Sequence, residues 1–473
     1  MSQLPHEIAH TLTHFQQPQL VLALQTLPPE QQRQLLDQIQ TVDFPMLRGI
    51  WQSAVSETPS ATSDTDRPAR ARAPGNVVRQ PGSTSDAEEW ANAGRVGEQA
   101  LRAGAVAIIT VAGGQGTRLG FEHPKGMFPI GPVTDRTLFQ VFAEQILARR
   151  NRYQAAIPWL IMTSDATHAE TVTFFRANRF FGLDETSVVF FQQGNLPAID
   201  AATGELLLAG PADLALSPDG HGGLVMALQN AGLIARMQHD GIQHLFYHQV
   251  DNPTAIIADP ALIGFHCLRQ SQLTTCVVCK TSPTERMGVL VDVDGHTEII
   301  EYSELTPEQA AGHDESGQWI FWAGNTAIHV FDVAFLHHLT QKGSQLPIHV
   351  ARKNVAFFNS AGVLEQPSDP GRPNAIKLER FIFDALPLAA RTLIVEGDRQ
   401  REFNPVKNKS GNDSAATSQA ALNRIAHQWL QTAGYSIPSD RIVEISPLQA
   451  LDHMELQQRL TAGILNLNEI RMK

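Results

Sequence analysis

The sequence predicts an α/β protein with a mixed central sheet flanked by helices, a helical N-terminal part and a small α/β C-terminal part. Three observations carry this reading. Ala105-Val-Ala-Ile-Ile-Thr-Val111 is a continuous apolar run, the mark of a strand covered on both faces. Strand-like runs then alternate with helical patterns, which favours a mostly parallel sheet with helices on both sides. Between about 273 and 331 the pattern changes to successive short strands, an antiparallel insertion or extension of the sheet.

Residues 1–55 read as helical. Leu20, Leu22, Leu24 and Leu27, then Leu35, Leu36 and Ile39, recur near helical spacing, and Pro28-Pro29 marks a break and a helix start. Residues 56–86 are rich in Ser, Thr, Asp, Pro, Ala and Gly and read as a flexible linker. The basic cluster Arg67 to Arg72 inside it reads as solvated. Residues 87–390 form the predicted catalytic domain. It has a first strand at 105–111, an amphipathic helix near 137–149, a strand at 159–162, a helix near 166–179 and strands at 188–191 and 244–250. The short strands fall at 274–280, 288–293, 297–302 and 319–321, with Asp294-Gly295 as a hairpin turn. Residues 391–473 are expected to form a small C-terminal domain with a strand-like run at 441–445.

A chain of 473 residues exceeds one compact core and suggests two or three domains. The formal charge of −12 makes it a poor nonspecific binder of nucleic acid or of an anionic membrane. It does not disfavour a phosphate substrate, because local cations outweigh a net charge screened over roughly 8–10 Å. No apolar run is long enough to span a membrane, and Met1 to His14 has no apolar core of a signal peptide. Three cysteines argue against a disulfide framework and for a reducing, cytoplasmic setting. Cys276 and Cys279 form a CxxC, but on a strand positions three apart face opposite ways, which disfavours a metal or redox pair.

The chemistry is concentrated in Ala112-Gly-Gly-Gln-Gly-Thr-Arg-Leu-Gly120, directly after the first buried strand. Ligands of open α/β sheets bind at such strand ends. Glycines let backbone N–H groups approach phosphate oxygens, so Ala112, Gly113, Gly114, Gly116 and Thr117 are candidate nucleotide contacts. A Walker A loop would end in Gly-Lys-Ser/Thr, whereas Phe121 follows Gly120. A dinucleotide fingerprint would open a helix at once, but the last glycine falls one residue late and Pro124 follows. Asp135, near the distance of a ribose contact, precedes a helix instead of ending a second strand, which disfavours a nicotinamide dehydrogenase. Arg118 and Lys125 set two cations beside the loop. Nucleotidyl transfer gathers several negative charges, so its catalysis is mainly positioning and neutralisation. Asp251 ends another buried strand and reads as a turn or cap residue or as a Mg²⁺ ligand.

The stretch Ala112–Lys125 resembles the signature of the UDP-glucose pyrophosphorylase-like uridylyltransferases. Within that family it is closer to the eukaryotic-type UDP-N-acetylglucosamine pyrophosphorylases. Seven further blocks recur in order: Phe190-Phe-Gln-Gln-Gly-Asn-Leu-Pro197, Ser217-Pro-Asp-Gly-His-Gly-Gly223, Val250-Asp-Asn252, Glu301-Tyr-Ser-Glu304, Ala323-Gly-Asn325, Ile376-Lys-Leu-Glu-Arg-Phe381 and Phe403-Asn-Pro-Val-Lys-Asn408. The resemblance covers nearly the whole chain outside the linker. It implies a Rossmann-like nucleotidyltransferase fold, with UTP and a sugar 1-phosphate as partners, Mg²⁺ as cofactor and UDP-N-acetylglucosamine as product.

The roles of the scattered residues come from the resemblance. Gln193 and Gly220 are expected at the uracil, and a glutamine offers a donor and an acceptor to the base edge. Gly288, Glu301 and Asn325 are expected at the sugar, although Glu301 and Asn325 read equally as satisfied polar strand residues. Lys377 and Lys407 read as surface lysines in isolation and as phosphate ligands by resemblance. Arg118, Lys125, Lys377 and Lys407 are thus the candidate catalytic cations. At His221 the N-acetylglucosamine enzymes usually carry Asn, while UDP-glucose and broad UDP-sugar enzymes carry a Gly-His-Gly block. His221 is therefore a candidate sugar-specificity residue, and UDP-glucose or broad UDP-sugar formation is the alternative reading. A noncatalytic sugar-nucleotide sensor is a third, which the cations and Asp251 disfavour.

Overall fold

A computed structural model describes residues 5–55, 66–341, 343–359, 361–367, 369 and 371–473. The chain forms two compact units. The larger comprises Pro68–Gln192, Val225–Gln345 and Phe383–Lys473; the smaller comprises Met1–Arg67, Gln193–Leu224 and Leu346–Ile382.

The larger unit is built on a ten-stranded mixed sheet. Its strands in chain order are β1 (Val77–Val78), β2 (Val106–Val111), β3 (Trp159–Thr163), β4 (Val188–Gln192) and β5 (His244–Gln249). They continue with β6 (Leu273–Cys279), β7 (Val289–Val293), β8 (His296–Ile300), β9 (Ala323–Asp332) and β10 (Thr392–Glu396). Across the sheet they run β1-β10-β6-β9-β5-β2-β3-β4, and β7 pairs with β8 and β9. The pairs β5/β2, β2/β3 and β3/β4 are parallel; β9 runs antiparallel to both β5 and β6.

The run expected as the first strand is β2, in the middle of the parallel half. Val106 to Ile109 are fully buried, as a strand covered on both faces requires. Asp294-Gly295 makes the β7–β8 hairpin, with φ of 53° and 87°, the pairing that a tight hairpin turn favours. Thr137 starts the helix Leu138–Tyr153 by accepting the Gln140 amide on its hydroxyl.

Four expectations change. The helix near 137–149 is not amphipathic: Glu144, Gln145 and Arg149 are buried with its apolar residues. Chain packed on its outer side supplies their partners. Ser446 Oγ donates to Glu144 at 2.6 Å, and Arg149 Nε donates to the Ile257 carbonyl. The strand expected at 319–321 is displaced. Trp319 makes only an isolated bridge to His313, and the strand is β9, whose register against β6 breaks between Cys276 and Val277. There Asn325 Oδ1 accepts the Ala327 amide at 2.9 Å, and Ala327 has φ of 57°. This bulge interrupts the alternation by which a strand is read. The third is the linker. Residues 56–65 lie outside the described residues, but Arg67–Arg70 is a short helix and β1 is a sheet strand parallel to β10. Finally, β10 belongs to the central sheet, although the C-terminal domain was expected to begin at 391. The residues beyond it close their own cluster, with Leu430, Val443, Leu456 and Ile470 buried together.

The CxxC lies on β6 as expected. All three cysteines are free thiols, with Cys276 buried and Cys279 donating to Glu396 Oε1 at 3.0 Å. Among the described residues no helix is long and apolar enough to cross a membrane.

In the smaller unit, helices His6–His14, Pro18–Thr26, Pro29–Gln40 and Phe44–Val55 pack Leu12, Leu20, Leu24, Leu35 and Phe44 against Ile199, Leu208, Ile376 and Leu378. The Pro28-Pro29 break is the start of the third helix, with Pro29 at its first position. Ala375–Glu379 is the middle strand of a three-stranded sheet between His349–Lys353 and Ile199–Asp200.

Candidate active site

The glycine stretch forms a closed lobe after β2 instead of opening a helix. Lys125 N donates to Gly114 O at 3.1 Å, Gly116 N to His123 O at 2.9 Å and Phe121 N to Gly116 O at 3.1 Å. Thr117–Leu119 is a single 3₁₀ turn that anchors itself on the buried Leu119 and ends at Gly120, with φ of 73°. That positive φ is the physical need for glycine there. At the root of the lobe Ser164 Oγ donates to Gly113 O at 2.7 Å, and Ala112 N donates to Met162 O on β3. Among the described residues the amides of Gly113, Gly114 and Gln115 meet no acceptor. Consecutive free amides of this kind suit phosphate oxygens.

Two of the expected cations flank this lobe. Arg118 is exposed on the 3₁₀ turn. Lys125 Nζ lies 3.4 Å from Asp251 Oδ2, and both side chains are largely buried. Asp251 lies two residues beyond the end of the central strand β5. That strand is aligned with its neighbours by a buried chain: Trp159 Nε1 donates to Thr110 Oγ1 at 2.7 Å, and Thr110 meets His248 Nε2 at 2.7 Å. Burial lowers the His248 pKa to about 4, so its ring is neutral near pH 7 and joins β5 to β2 through Thr110.

The turn after Asp251 clamps a second segment. Val406 N donates to Asp251 O at 2.8 Å, and Asn404 N to Asn252 Oδ1 at 3.2 Å. Lys407 is thereby fixed one residue from that contact, with its ammonium 5.7 Å from the Phe403 ring centre. Asn252 was not singled out in the sequence, yet its side chain holds this segment.

Gly288, Glu301 and Asn325 come together in the larger unit. Asn325 N donates to Gly288 O at 2.9 Å. A Cβ on Gly288 would lie 2.7 Å from Glu301 Oε1. Burial raises the Glu301 pKa, Glu304 adds to the shift, and the charge of Lys407 opposes it. One expected phosphate cation therefore stands within electrostatic reach of the expected sugar group.

Gln193, Gly220, His221 and Lys377 belong to the smaller unit. Arg380 N donates to Asp219 O at 2.7 Å, and Gly222 N to Arg380 O at 2.8 Å. Ile382 N donates to His221 Nδ1 at 3.1 Å, so that ring nitrogen carries no proton. These bonds stitch the 219–223 turn to the chain just beyond Lys377, which lies on the strand Ala375–Glu379. Asp219 lies inside the Ser217–Gly223 block quoted above, but no role was assigned to it from the sequence. Its carboxyl packs where a Cβ on Gly223 or Gly194 would stand, at 2.0 and 2.7 Å. Those glycines thus make room for a buried acid, whose pKa burial raises to about 6 against the charge of Arg380.

Among the described residues no three His, Cys, Asp or Glu side chains group to hold a metal. A single carboxylate is nevertheless the donor set that Mg²⁺ uses when substrate phosphates and water complete its shell. Asp251 beside a phosphate-type loop fits that description.

A family model described as UTP–glucose-1-phosphate uridylyltransferase matches residues 80–461. The chain is 37% identical over 372 residues to the UDP-N-acetylglucosamine pyrophosphorylase of Saccharomyces cerevisiae, covering 77% of each. It resembles the crystal structure of a putative UDP-N-acetylglucosamine pyrophosphorylase from Entamoeba histolytica, with TM-score 0.71 and 33% identity over 80% of this chain and 96% of that one. The uridine diphosphate N-acetylglucosamine pyrophosphorylase from Trypanosoma brucei gives TM-score 0.81 and 25% identity over 98% and 96%.

Proposed function

The chain belongs to the UTP–glucose-1-phosphate uridylyltransferase family, and from that premise we propose that it forms UDP-N-acetylglucosamine and pyrophosphate from UTP and N-acetylglucosamine 1-phosphate. It is a nucleotidyltransferase that joins UTP to a sugar 1-phosphate. The choice of sugar rests on the names of its relatives in Saccharomyces cerevisiae and Trypanosoma brucei. The observation that carries the site is the Lys125–Asp251 pair, which joins the glycine lobe to the end of β5.

In this reading a sugar-phosphate oxygen attacks the α-phosphorus of UTP, the α–β bridging bond breaks and pyrophosphate leaves. The attacking phosphate is already ionised, so no protein nucleophile or general base is required. The lobe amides hold phosphate oxygens, with Ala112, Gly113, Gly114, Gly116 and Thr117 shaping the cradle. Arg118 and Lys125 neutralise the phosphates, and Lys377 and Lys407 hold the sugar phosphate or the α-phosphate. Gln193 and Gly220 read the uracil; Gly288, Glu301 and Asn325 meet the sugar hydroxyls. Asp251 would hold Mg²⁺, which supplies charge neutralisation at the phosphates. The free thiols suit a reducing compartment, the cytoplasm.

His221 favours a second reading, a wider sugar range. Pyrophosphate release is to be measured with UTP and N-acetylglucosamine, N-acetylgalactosamine and glucose 1-phosphates, for the wild type and His221→Asn. Preference for N-acetylglucosamine supports the proposal, and preference for glucose replaces it with the second reading. Tight UTP binding with no turnover of any sugar would make the chain a sensor.

A further inference from the structure

Beyond the residues assigned above, one lysine stands against the glycine lobe. A Cβ built on Gly120 would lie 3.7 Å from each of Cδ, Cε and Nζ of Lys409. The end of that side chain therefore lies across the open face of Gly120, two residues after Arg118. Lys409 is exposed, and no carboxylate lies within ion-pair distance of it among the described residues. Lys125, by contrast, is already paired with Asp251.

The loop that delivers Lys409 is well rooted. Lys407 N and Asn408 N both donate to Asp413 O, at 2.6 and 2.9 Å, and Asn408 Nδ2 donates to Asn412 O at 2.9 Å. Gly411 and Asp413 take positive φ of 78° and 53° to close the turn. On one side the chain is tied by Val406 N to Asp251 O; on the other, Ser414 caps the helix Ala415–Thr432. An ammonium lying against a phosphate-type lobe without a carboxylate partner is free to pair with an anion of high charge.

We propose that Lys409 is a pyrophosphate-binding residue, contacting the β- and γ-phosphates of UTP and the departing pyrophosphate. This rests on the uridylyltransferase reading of the lobe. The glycine amides and Lys125 serve the inner phosphates near Asp251, and Lys409 serves the outer ones. Its charge offsets the negative charge that accumulates on pyrophosphate as the α–β bond breaks.

The test compares the full-length wild type with Lys409→Ala and Lys409→Arg. UTP and UMP affinities are measured by calorimetry, and the KM for pyrophosphate is measured in the reverse reaction. The expected result for Lys409→Ala is a loss of about tenfold in UTP affinity, a similar rise in the pyrophosphate KM and UMP affinity unchanged within twofold. Lys409→Arg should recover most of the loss, and melting temperatures should coincide. Unchanged UTP affinity, or equal losses for UTP and UMP, would overturn the proposal. A wild type that fails to bind UTP removes both this proposal and the function it rests on. A wild type that binds UTP but rejects N-acetylglucosamine 1-phosphate removes only the sugar assignment, and the UTP-to-UMP ratio still decides Lys409.

Discussion

Lys125 Nζ stands 3.4 Å from Asp251 Oδ2, and this contact ties the far end of the glycine lobe to the end of β5. It joins two residues 126 positions apart. The cation proposed to neutralise phosphate is thus paired with the acid proposed to carry Mg²⁺.

Lys125→Ala is expected to lower turnover by roughly a hundredfold or more, the scale seen when one stabilising donor is lost. Thermal melting should move little, because the lobe keeps its backbone bonds and Leu119 anchor. Steady-state kinetics and melting on the same preparation check this. Persistent turnover would remove Lys125 from the charge-neutralising role.

Gly288→Ala should act on the sugar substrate. The new methyl would stand 2.7 Å from Glu301 Oε1 and 3.0 Å from Ile299 Cγ2, so the Glu301 side chain must move. The KM for the sugar 1-phosphate should rise several-fold, with the KM for UTP unchanged. Equal changes in both constants would indicate general damage to the fold.

Two glycines on packed helices give a stability contrast. The helices Thr84–Arg102 and Pro260–Leu268 approach so closely that a Cβ on Gly264 would fall 1.7 Å from the Ala93 carbonyl oxygen. Gly264→Ala should cost about 1–3 kcal/mol or more by overpacking. A Cβ on Gly94, one residue from that contact, meets nothing within 4 Å. Gly94→Ala should therefore be neutral or stabilise by up to about 1 kcal/mol through helix propensity. Chemical denaturation of both variants checks the pair.

Glu402 introduces a pH dependence. Burial first, then the charge of Asp259, raises its pKa to about 7, while its Oε1 accepts the Asp398 amide at 2.8 Å. An unfolded glutamate titrates near about 4.3, so the folded state binds the proton more tightly. This contribution to stability is fully present below about pH 4 and is lost as pH rises through about 7. Glu402→Gln keeps an acceptor for the amide without the ionisation. Its melting temperature should exceed that of the wild type at pH 8 and approach it at pH 5. Parallel curves for the two proteins would show that Glu402 does not titrate in this range.

The parts of the site that are contiguous in the chain were legible in it. Ala112 to Lys125 carries its own turn chemistry, so spacing alone excluded two rival phosphate loops, and the lobe closes on its own backbone bonds. Asp251 could be placed because it directly follows a buried apolar run. The residues proposed to meet the sugar were legible only through resemblance to a family, since nothing local relates Gly288, Glu301 and Asn325. The bulge in β9 hid its strand, because Asn325 spends its side-chain oxygen on the Ala327 amide and breaks the alternating pattern.

The sequence by itself determined the fold class, the buried parallel strands, the glycine loop and the cations beside it. These depend on periodicity and on short-range backbone preferences, which are written residue by residue. Only the tertiary structure decided that Asp251 meets Lys125, that Glu301 faces Gly288, that Asp219 fills the space left by Gly194 and Gly223, and that Lys409 lies over Gly120. Those are through-space facts. They depend on which strand pairs with which and on how close two backbones come, and local sequence preference leaves both open.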